Sequence, residues 1–361
     1  MAKPADSTTS KNTVLLIATI GSFFTPFMVS AINIALPPIG REFSMNVVLL
    51  SWVATSYNLA AAAFLLPFGR LGDIWGRKKV YTIGMIIYAA ASLLAGLSGS
   101  GIALIAFRVL QGIGSALIFG TGVAILISVF PASERGKVLG INVTATYLGL
   151  SLGPFIGGLL TQHLGWRSIF FVNVPLAFLT IALIFWKLKG EWAEARGESF
   201  DLTGSLVFGL SLSVMMYGLT LLPVSLGIWL VLAGALGIFV FIKWEGRVSS
   251  PVLNIRLFTD NIAFAFSNLA ALINYSATFA VGFLLSLYLQ YVKGFAPEHA
   301  GLVLIAQPVM QVICSPVAGS LSDRIEPRIV SSVGMALTTL GLVLLTFLSN
   351  DTGLIFILVC L

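Results

Sequence analysis

The chain has 361 residues, of which 58% are hydrophobic and only 9% charged, with a mean hydropathy of +1.00. A water-soluble globular domain needs far more surface charge, so this composition excludes one and requires lipid. The formal net charge of +6 comes from basic residues scattered between apolar runs, which is orientation charge rather than a nucleic-acid-binding stripe.

Apolar runs near the ~20 residues that cross a bilayer as a helix fall at 13–36, 47–69, 80–97, 102–127, 138–161, 168–187, 203–222, 227–243, 261–289, 300–318 and 329–348. A last run opens at Leu354. Together they predict an all-α polytopic membrane protein embedded in a lipid bilayer. The first run follows a polar tail with Lys3 and Lys11; it is too long for a signal-peptide core and lacks a small-residue cleavage site, so it reads as the first span. With the N-terminus in the cytoplasm, sixteen of the twenty Lys and Arg residues lie inside, three (Arg41, Arg167, Lys293) outside, and Arg108 within a span. This asymmetry predicts a cytoplasmic N-terminus. Cys314 and Cys360 both sit in apolar runs and suit neither a disulfide framework nor a metal site. No metal cluster, nucleotide loop or nucleophile–base set stands out, so the chain is expected to be no enzyme and to need no metal or cofactor.

Polar and small residues within and between the spans mark the candidate machinery. Span 1 ends in Asn33-Ile34-Ala35-Leu36-Pro37-Pro38, where the prolines are expected to stop the helix. Asn58 is a polar candidate on span 2. The turn Gly69-Arg70-Leu71-Gly72-Asp73-Ile74-Trp75-Gly76-Arg77-Lys78-Lys79 is a dense polar knot whose glycines allow close bending. Asp73 and Arg77 stand one helical turn apart; on charge alone the turn could simply anchor topology. Span 4 carries Arg108, Gln111 and Gly112 at i, i+3 and i+4, which puts a guanidinium and an amide on one face. Arg108 is either functional, the default for an intramembrane arginine, or snorkels to the outer interface roughly 10 Å away. The turn Pro131–Lys137 holds Arg135. Span 5 has Gly149, Gly153 and Gly157 at i, i+4, i+8 with Pro154 and Gly158, a groove in which another backbone can lie close. Runs 203–222 and 227–243 carry no ionisable residue before Lys243 and read as lipid-facing bracing. Further on, Asn268, Asn274, Tyr275, Gln307 and Gln311 could face a central cavity or bond between helices. Gly319-Ser320-Leu321-Ser322-Asp323-Arg324 repeats the start of the Gly69 motif 250 residues later, as parallel repeats in a two-halved transporter would.

The Gly-x-Leu-x-Asp-x-x-Gly-Arg-Lys turn resembles the loop between helices 2 and 3 of the major facilitator superfamily. Ile74 stands where that family often has a basic residue, and the second copy has Glu326-Pro327 in place of Gly-Arg. Arg108-x-x-Gln111-Gly112 is similar to the family's helix 4 motif, associated with coupling and cavity lining. The helix 5 glycines with Pro154 and Gly158 resemble the signature that accompanies exporters. The two inserted runs, Asn33-x-Ala-Leu-Pro and Gly165-Trp166-Arg167 resemble the fourteen-helix drug:proton antiporters, although Met28 stands where those commonly have an Asp.

That resemblance implies a major facilitator fold with about 12 of 14 transmembrane helices: a six-helix bundle over 1–189, a linker with two extra helices over 190–260, and an incomplete C-terminal bundle over 261–361. It implies a latch between the halves formed by Gly69, Asp73, Gly76, Arg77, Arg135, Asp323 and Arg324. It further implies a substrate or coupling set drawn from Arg108, Gln111, Gly112, Asn33, Asn58, Gln307 and Gln311. The eight residues after Gly353 are too few for a span, so a C-terminally truncated chain is expected. None of the fourteen acids falls within a predicted span, so protons enter as partners by kinship alone.

The leading expectation is a multi-pass cell-membrane transporter that exports amphipathic or drug-like small molecules by alternating access, coupled to protons. An exporter of anionic metabolites using Arg108 is one alternative, and an inactive remnant or membrane scaffold another. A nucleic-acid partner is not expected.

Overall fold

A computed structural model describes residues 10–322, 325–350 and 352–361. The elements run α1 (Lys11–Glu42), α2 (Val47–Trp75), α3 (Arg77–Gly96), α4 (Gly101–Val129), α5 (Ala132–Leu164), α6 (Arg167–Lys187), α7 (Leu202–Thr220), α8 (Ser225–Glu245), α9 (Arg256–Thr259), α10 (Ile262–Leu287), a π-helical turn (Tyr288–Val292), α11 (Pro297–Leu304), α12 (Ala306–Ser322), α13 (Pro327–Leu345) and α14 (Leu354–Cys360). Among the described residues, ten helices are long and apolar enough to cross a membrane. Asn46, Ser100 and Asp201 accept hydrogen bonds from the first turns of α2, α4 and α7, fixing where those helices begin.

The first six helices share one core centred on α4. Gly112 faces the backbone of Tyr57 on α2, and Gly114 faces Gly84 O and Tyr88 N on α3, where a methyl group would meet those atoms at 3.0 and 2.8 Å. Small residues on two sides thus let α4 lie between α2 and α3 at backbone contact. Tyr81 and Tyr88 of α3 donate their hydroxyls to Ile17 O (2.8 Å) and Phe24 O (3.4 Å) of α1. The α5 groove lies against α1: a methyl on Gly153 would meet Phe27 O at 2.8 Å and one on Gly157 the Ala31 Cβ at 2.9 Å. Gly158 instead meets the carbonyl of Pro297 at the start of α11.

α7 and α8 form a hairpin through close approach of Gly218 to Gly227 and Gly234 to Met215, and the hairpin leans on the outer side of α2. Trp229, Leu232, Leu236 and Phe239 remain exposed on it, as a lipid-facing surface requires. The second half meets the first through α10 on α1 and through α11 and α12 on α5.

Two expected spans are shaped differently. The first helix does not stop at Pro37 but continues to Glu42, because the amide groups missing at Pro37 and Pro38 are made good from outside the helix. The run 300–318 is two helices rather than one, broken at Ile305. Pro308 cannot donate to the carbonyl of Leu304 and its ring crowds that position, but it fits the first turn of a new helix.

Substituting Gly153 by Leu is expected to cost about 1–3 kcal/mol by overpacking, with a several-fold lower folded yield. Gly122→Leu should be milder, because its nearest neighbour is the edge of the Tyr81 ring at 3.4 Å. Size-exclusion yield and melting temperature of the two variants check this.

Candidate functional site

The end of the molecule carrying the α2–α3 turn, here the basic face, and the opposite, far end differ in how the halves meet. At the far end they are bonded together. Pro37 and Pro38 leave Asn33 O and Ile34 O without intrahelical donors. Ser286 Oγ on α10 donates to Asn33 O at 2.6 Å, and Gln290 Nε2 on the π-helical turn donates to Ile34 O at 3.2 Å and to Ser286 Oγ at 3.2 Å. Both side chains are buried. Beside them Gly301 lies against the carbonyl of Pro154, and His163 stands 3.7 Å from Glu298. Toward the basic face, Ile262, Phe266, Leu269 and Ile273 of α10 are exposed.

Between the halves, below that far-end closure, lies a cavity of about 250 Å³. Ser30 and Asn33 reach it from α1, Tyr147 and Pro154 from α5, Tyr275 from α10, and Gln307 and Gln311 from α12. Asn33 lines the cavity, and its Oδ1 is buried and accepts no protein hydrogen bond. Among the described lining residues none is charged. A larger recess of about 590 Å³ between α11 and α14 opens to the side, away from the junction of the halves, and lacks such convergent amides.

The expected coupling set therefore divides. Asn33, Gln307 and Gln311 meet at the cavity, although more than 270 residues separate the first from the others. Arg108, Gln111 and Gly112 do not line it. Arg108 is fully buried inside the first bundle, with Nε on Val53 O at 2.9 Å, Nη1 on Gln111 Oε1 at 2.6 Å, and the guanidinium 4.3 Å from the Tyr57 ring centre. Gln111 passes the chain on to Ser92 Oγ at 2.8 Å. This network cross-links α2, α3 and α4 and holds Arg108 neither at the outer interface nor at the cavity. Asn58 donates to Ala54 O of its own helix at 3.1 Å. Met28 is buried against Asn173 of α6, also off the cavity.

The latch set is engaged with a partner the sequence did not suggest. Arg77 bonds Asp73 Oδ1 through Nε at 2.8 Å, Glu194 Oε1 through Nη1 at 2.8 Å, Ala124 O at 3.2 Å and the Ser128 hydroxyl. The segment 188–200 is strapped across the turn by further bonds: Arg77 N to Trp192 O at 2.8 Å, Ala195 N to Asp73 O at 3.0 Å, and Arg70 to Glu198. Glu191 accepts from Lys78 N at 2.8 Å and Lys79 N at 3.3 Å, a carboxylate capping the positive end of α3. Gly76, at φ +118°, brings the chain over that carboxylate in a conformation an L side chain rarely adopts. Gly69 packs on Gly120 of α4, and Arg135 Nε donates to Phe130 O at 3.1 Å. Asp323 and Arg324 lie outside the described residues. At the far end Arg167 pairs with Glu42 at 2.7 Å and donates to Ser98 O at 3.1 Å, tying α1, α3 and α6 together.

The described chain is all-helical, with two halves flanking a cavity closed at one end, which defines a polytopic carrier. Matches to the Major Facilitator Superfamily cover residues 18–249 and 268–361, and the chain belongs to that family. It is 32% identical over 351 residues to the riboflavin transporter RibZ of Clostridioides difficile, covering 96% of this chain and 76% of that one. It is also 32% identical over 343 residues to the multidrug resistance protein Stp of Mycobacterium tuberculosis, covering 92% of this chain and 63% of Stp. Among solved structures, the peptide transporter POT in complex with sulfate superposes with a TM-score of 0.71 at 14% identity, covering 96% of this chain and 78% of that one. The protein is thus a multi-pass membrane transporter and not an enzyme.

Ser286→Ala should cost about 1–3 kcal/mol, the penalty for leaving a buried carbonyl unpaired. The cost should shrink in a Pro37→Ala background, where an amide returns to Asn33 O; a double-mutant cycle by thermal unfolding checks the coupling. A second expectation concerns pH. The Arg77 hydrogen bond holds the Glu194 carboxyl below its ordinary 4.5. A carboxyl lowered by folding contributes fully above its unfolded value and loses that contribution as pH falls through the depressed one. Hydrogen exchange over 188–200, corrected for intrinsic rates, should therefore hold steady from neutral pH down to 4.5 and rise only below it. Glu194→Gln should raise it already at neutral pH.

Proposed function

We propose that the chain is a secondary exporter of amphipathic, drug-like small molecules that works by alternating access. The observation that carries this reading is the cavity between α1, α5, α10 and α12, bonded shut at the far end by Ser286 and Gln290. The basic face is the cytoplasmic one by the distribution of Lys and Arg, so the conformation is inward-facing and ready to load. In this state the α2–α3 turn is held by the 188–200 strap; in the opposite state it latches the second half. The rigid bodies are 1–189 and 261–361, with 190–260 as linker and accessory hairpin. The α7–α8 insertion and the helix 5 glycines support membership of the fourteen-helix exporters in the cell membrane, and proton coupling follows from that kinship. Stp, named for multidrug resistance, supports the substrate class.

A second reading is favoured by one observation. Three amides, Asn33, Gln307 and Gln311, meet in a lining that has no charged side chain among its described residues. That suits an uncharged hydrogen-bonding solute, and RibZ is named for one such molecule, riboflavin. Arg108, bonded inside the first bundle, gives no support to an anion exporter.

Reconstitution in liposomes with an imposed pH gradient tests the proposal, with a fluorescent amphipathic dye and riboflavin as probes. Gradient-driven dye movement abolished by an ionophore, and reduced at least tenfold in Gln311→Ala, is the expected result. Dye movement indifferent to the gradient sinks proton coupling, and riboflavin movement without dye movement favours the second reading.

A further inference from the structure

Two carboxylates are buried together where α7 and α8 reach the basic face, in a hairpin whose sequence promised only bracing. Asp201 is 9% exposed and Glu245 is 3% exposed as the last residue of α8. Asp201 is fully provided with donors: Oδ1 accepts from Gly204 N at 2.8 Å and Oδ2 from the Trp244 indole N–H at 2.9 Å. Glu245 is not. Its Oε2 accepts from Leu253 N at 3.1 Å, but Oε1 is buried with no partner. That orphan oxygen and Asp201 Oδ2 flank the same point beside Gly204: a methyl group there would meet Glu245 Oε1 at 2.6 Å and would also collide with Asp201 Oδ2.

Among the described residues, none supplies a compensating cation to Glu245. From α7 it faces Asp201; from the segment after α8 it faces the backbone N–H groups of Leu253 and Val252. On its own helix Lys243 turns away over the Phe239 ring, 5.6 Å from its centre. Two carboxylates sharing a buried site cannot both ionise cheaply. The helix ends separate their roles. Asp201 caps the positive N-terminus of α7, which favours its charge, whereas Glu245 sits at the negative C-terminus of α8, which opposes charge there. A metal ion would have to displace the Gly204 and Trp244 donors from Asp201, so a proton is the ligand that fits.

We propose that Asp201 and Glu245 hold one proton between them, with the Glu245 Oε1–H donating to Asp201 Oδ2, so that the base of the inserted hairpin is a proton-binding site. The proton belongs to the pair, and its removal places two negative charges side by side in a dry contact. The site lies apart from the central cavity, and it stands whether or not transport is proton-driven.

Infrared spectroscopy of the 361-residue chain in lipid nanodiscs at pH 7 tests this, where a water-exposed carboxyl is ionised. A carboxylic C=O band is expected in the unmodified protein; it should be lost in Glu245→Gln and shifted in Asp201→Asn. Glu245→Gln should keep the melting temperature, because an amide can donate to Asp201 in the same way, whereas Glu245→Ala should lower it. A difference spectrum between the unmodified protein and Glu245→Gln that contains carboxylate bands alone overturns the proposal. Should that variant not fold, ¹³C-glutamate labelling of the unmodified chain decides the matter by itself. A glutamate-derived carboxylic band at pH 7 is the expected result, and its absence overturns the shared proton.

Discussion

In lipid a backbone carbonyl without a donor is expensive, and the junction of the two halves is built on that penalty. Pro37 and Pro38 strip the donors from Asn33 O and Ile34 O near the end of α1. Ser286 and Gln290, one helical turn apart on the other half, replace them. The bonds are made between halves rather than within a helix. A helix without those prolines would satisfy itself and leave nothing for the second half to hold. The same residue, Asn33, then turns its side chain into the cavity, so closure and the cavity share one turn of α1.

The first bundle is rigid for a different reason. Its helices approach at backbone contact through Gly84, Gly112, Gly114, Gly153 and Gly157, and its buried polar groups are cross-linked. Arg108 illustrates how an intramembrane cation is tolerated. Its Nε and Nη1 donate to Val53 O and Gln111 and the guanidinium lies over the Tyr57 ring, while Nη2 is buried without a hydrogen-bond partner; the cavity is left to uncharged amides. Alternating access needs two bodies that move without deforming, and glycine-mediated contact together with buried hydrogen bonding makes the first of them.

At the basic face the physical theme is charge pairing around the buried Arg77 guanidinium. Asp73 and Glu194 share Arg77, Glu191 caps α3, and the strap they form runs directly into the α7–α8 hairpin, whose base carries Asp201 and Glu245. The α2–α3 turn and the hairpin that leans on α2 are therefore continuous through one short segment.

The sequence by itself determined most of the spans, the glycine spacing of α5 and the amides missing at Pro37 and Pro38. Each of these is a local pattern: hydropathy over about 20 residues, i and i+4 spacing, or a missing amide. It also held a signal that was not used, since two prolines imply two orphan carbonyls and Ser286-x-x-x-Gln290 presents two donors on one face of a helix. The destinations of the side chains were settled only by the tertiary structure. Arg108 points into its own bundle, Arg77 pairs with Glu194 from 117 positions away, and Glu245 is buried near Asp201 at the end of α8. These outcomes depend on which helices become neighbours. Hydropathy says that a segment is in the membrane, but the partner of a polar group is chosen by packing between segments far apart in the chain.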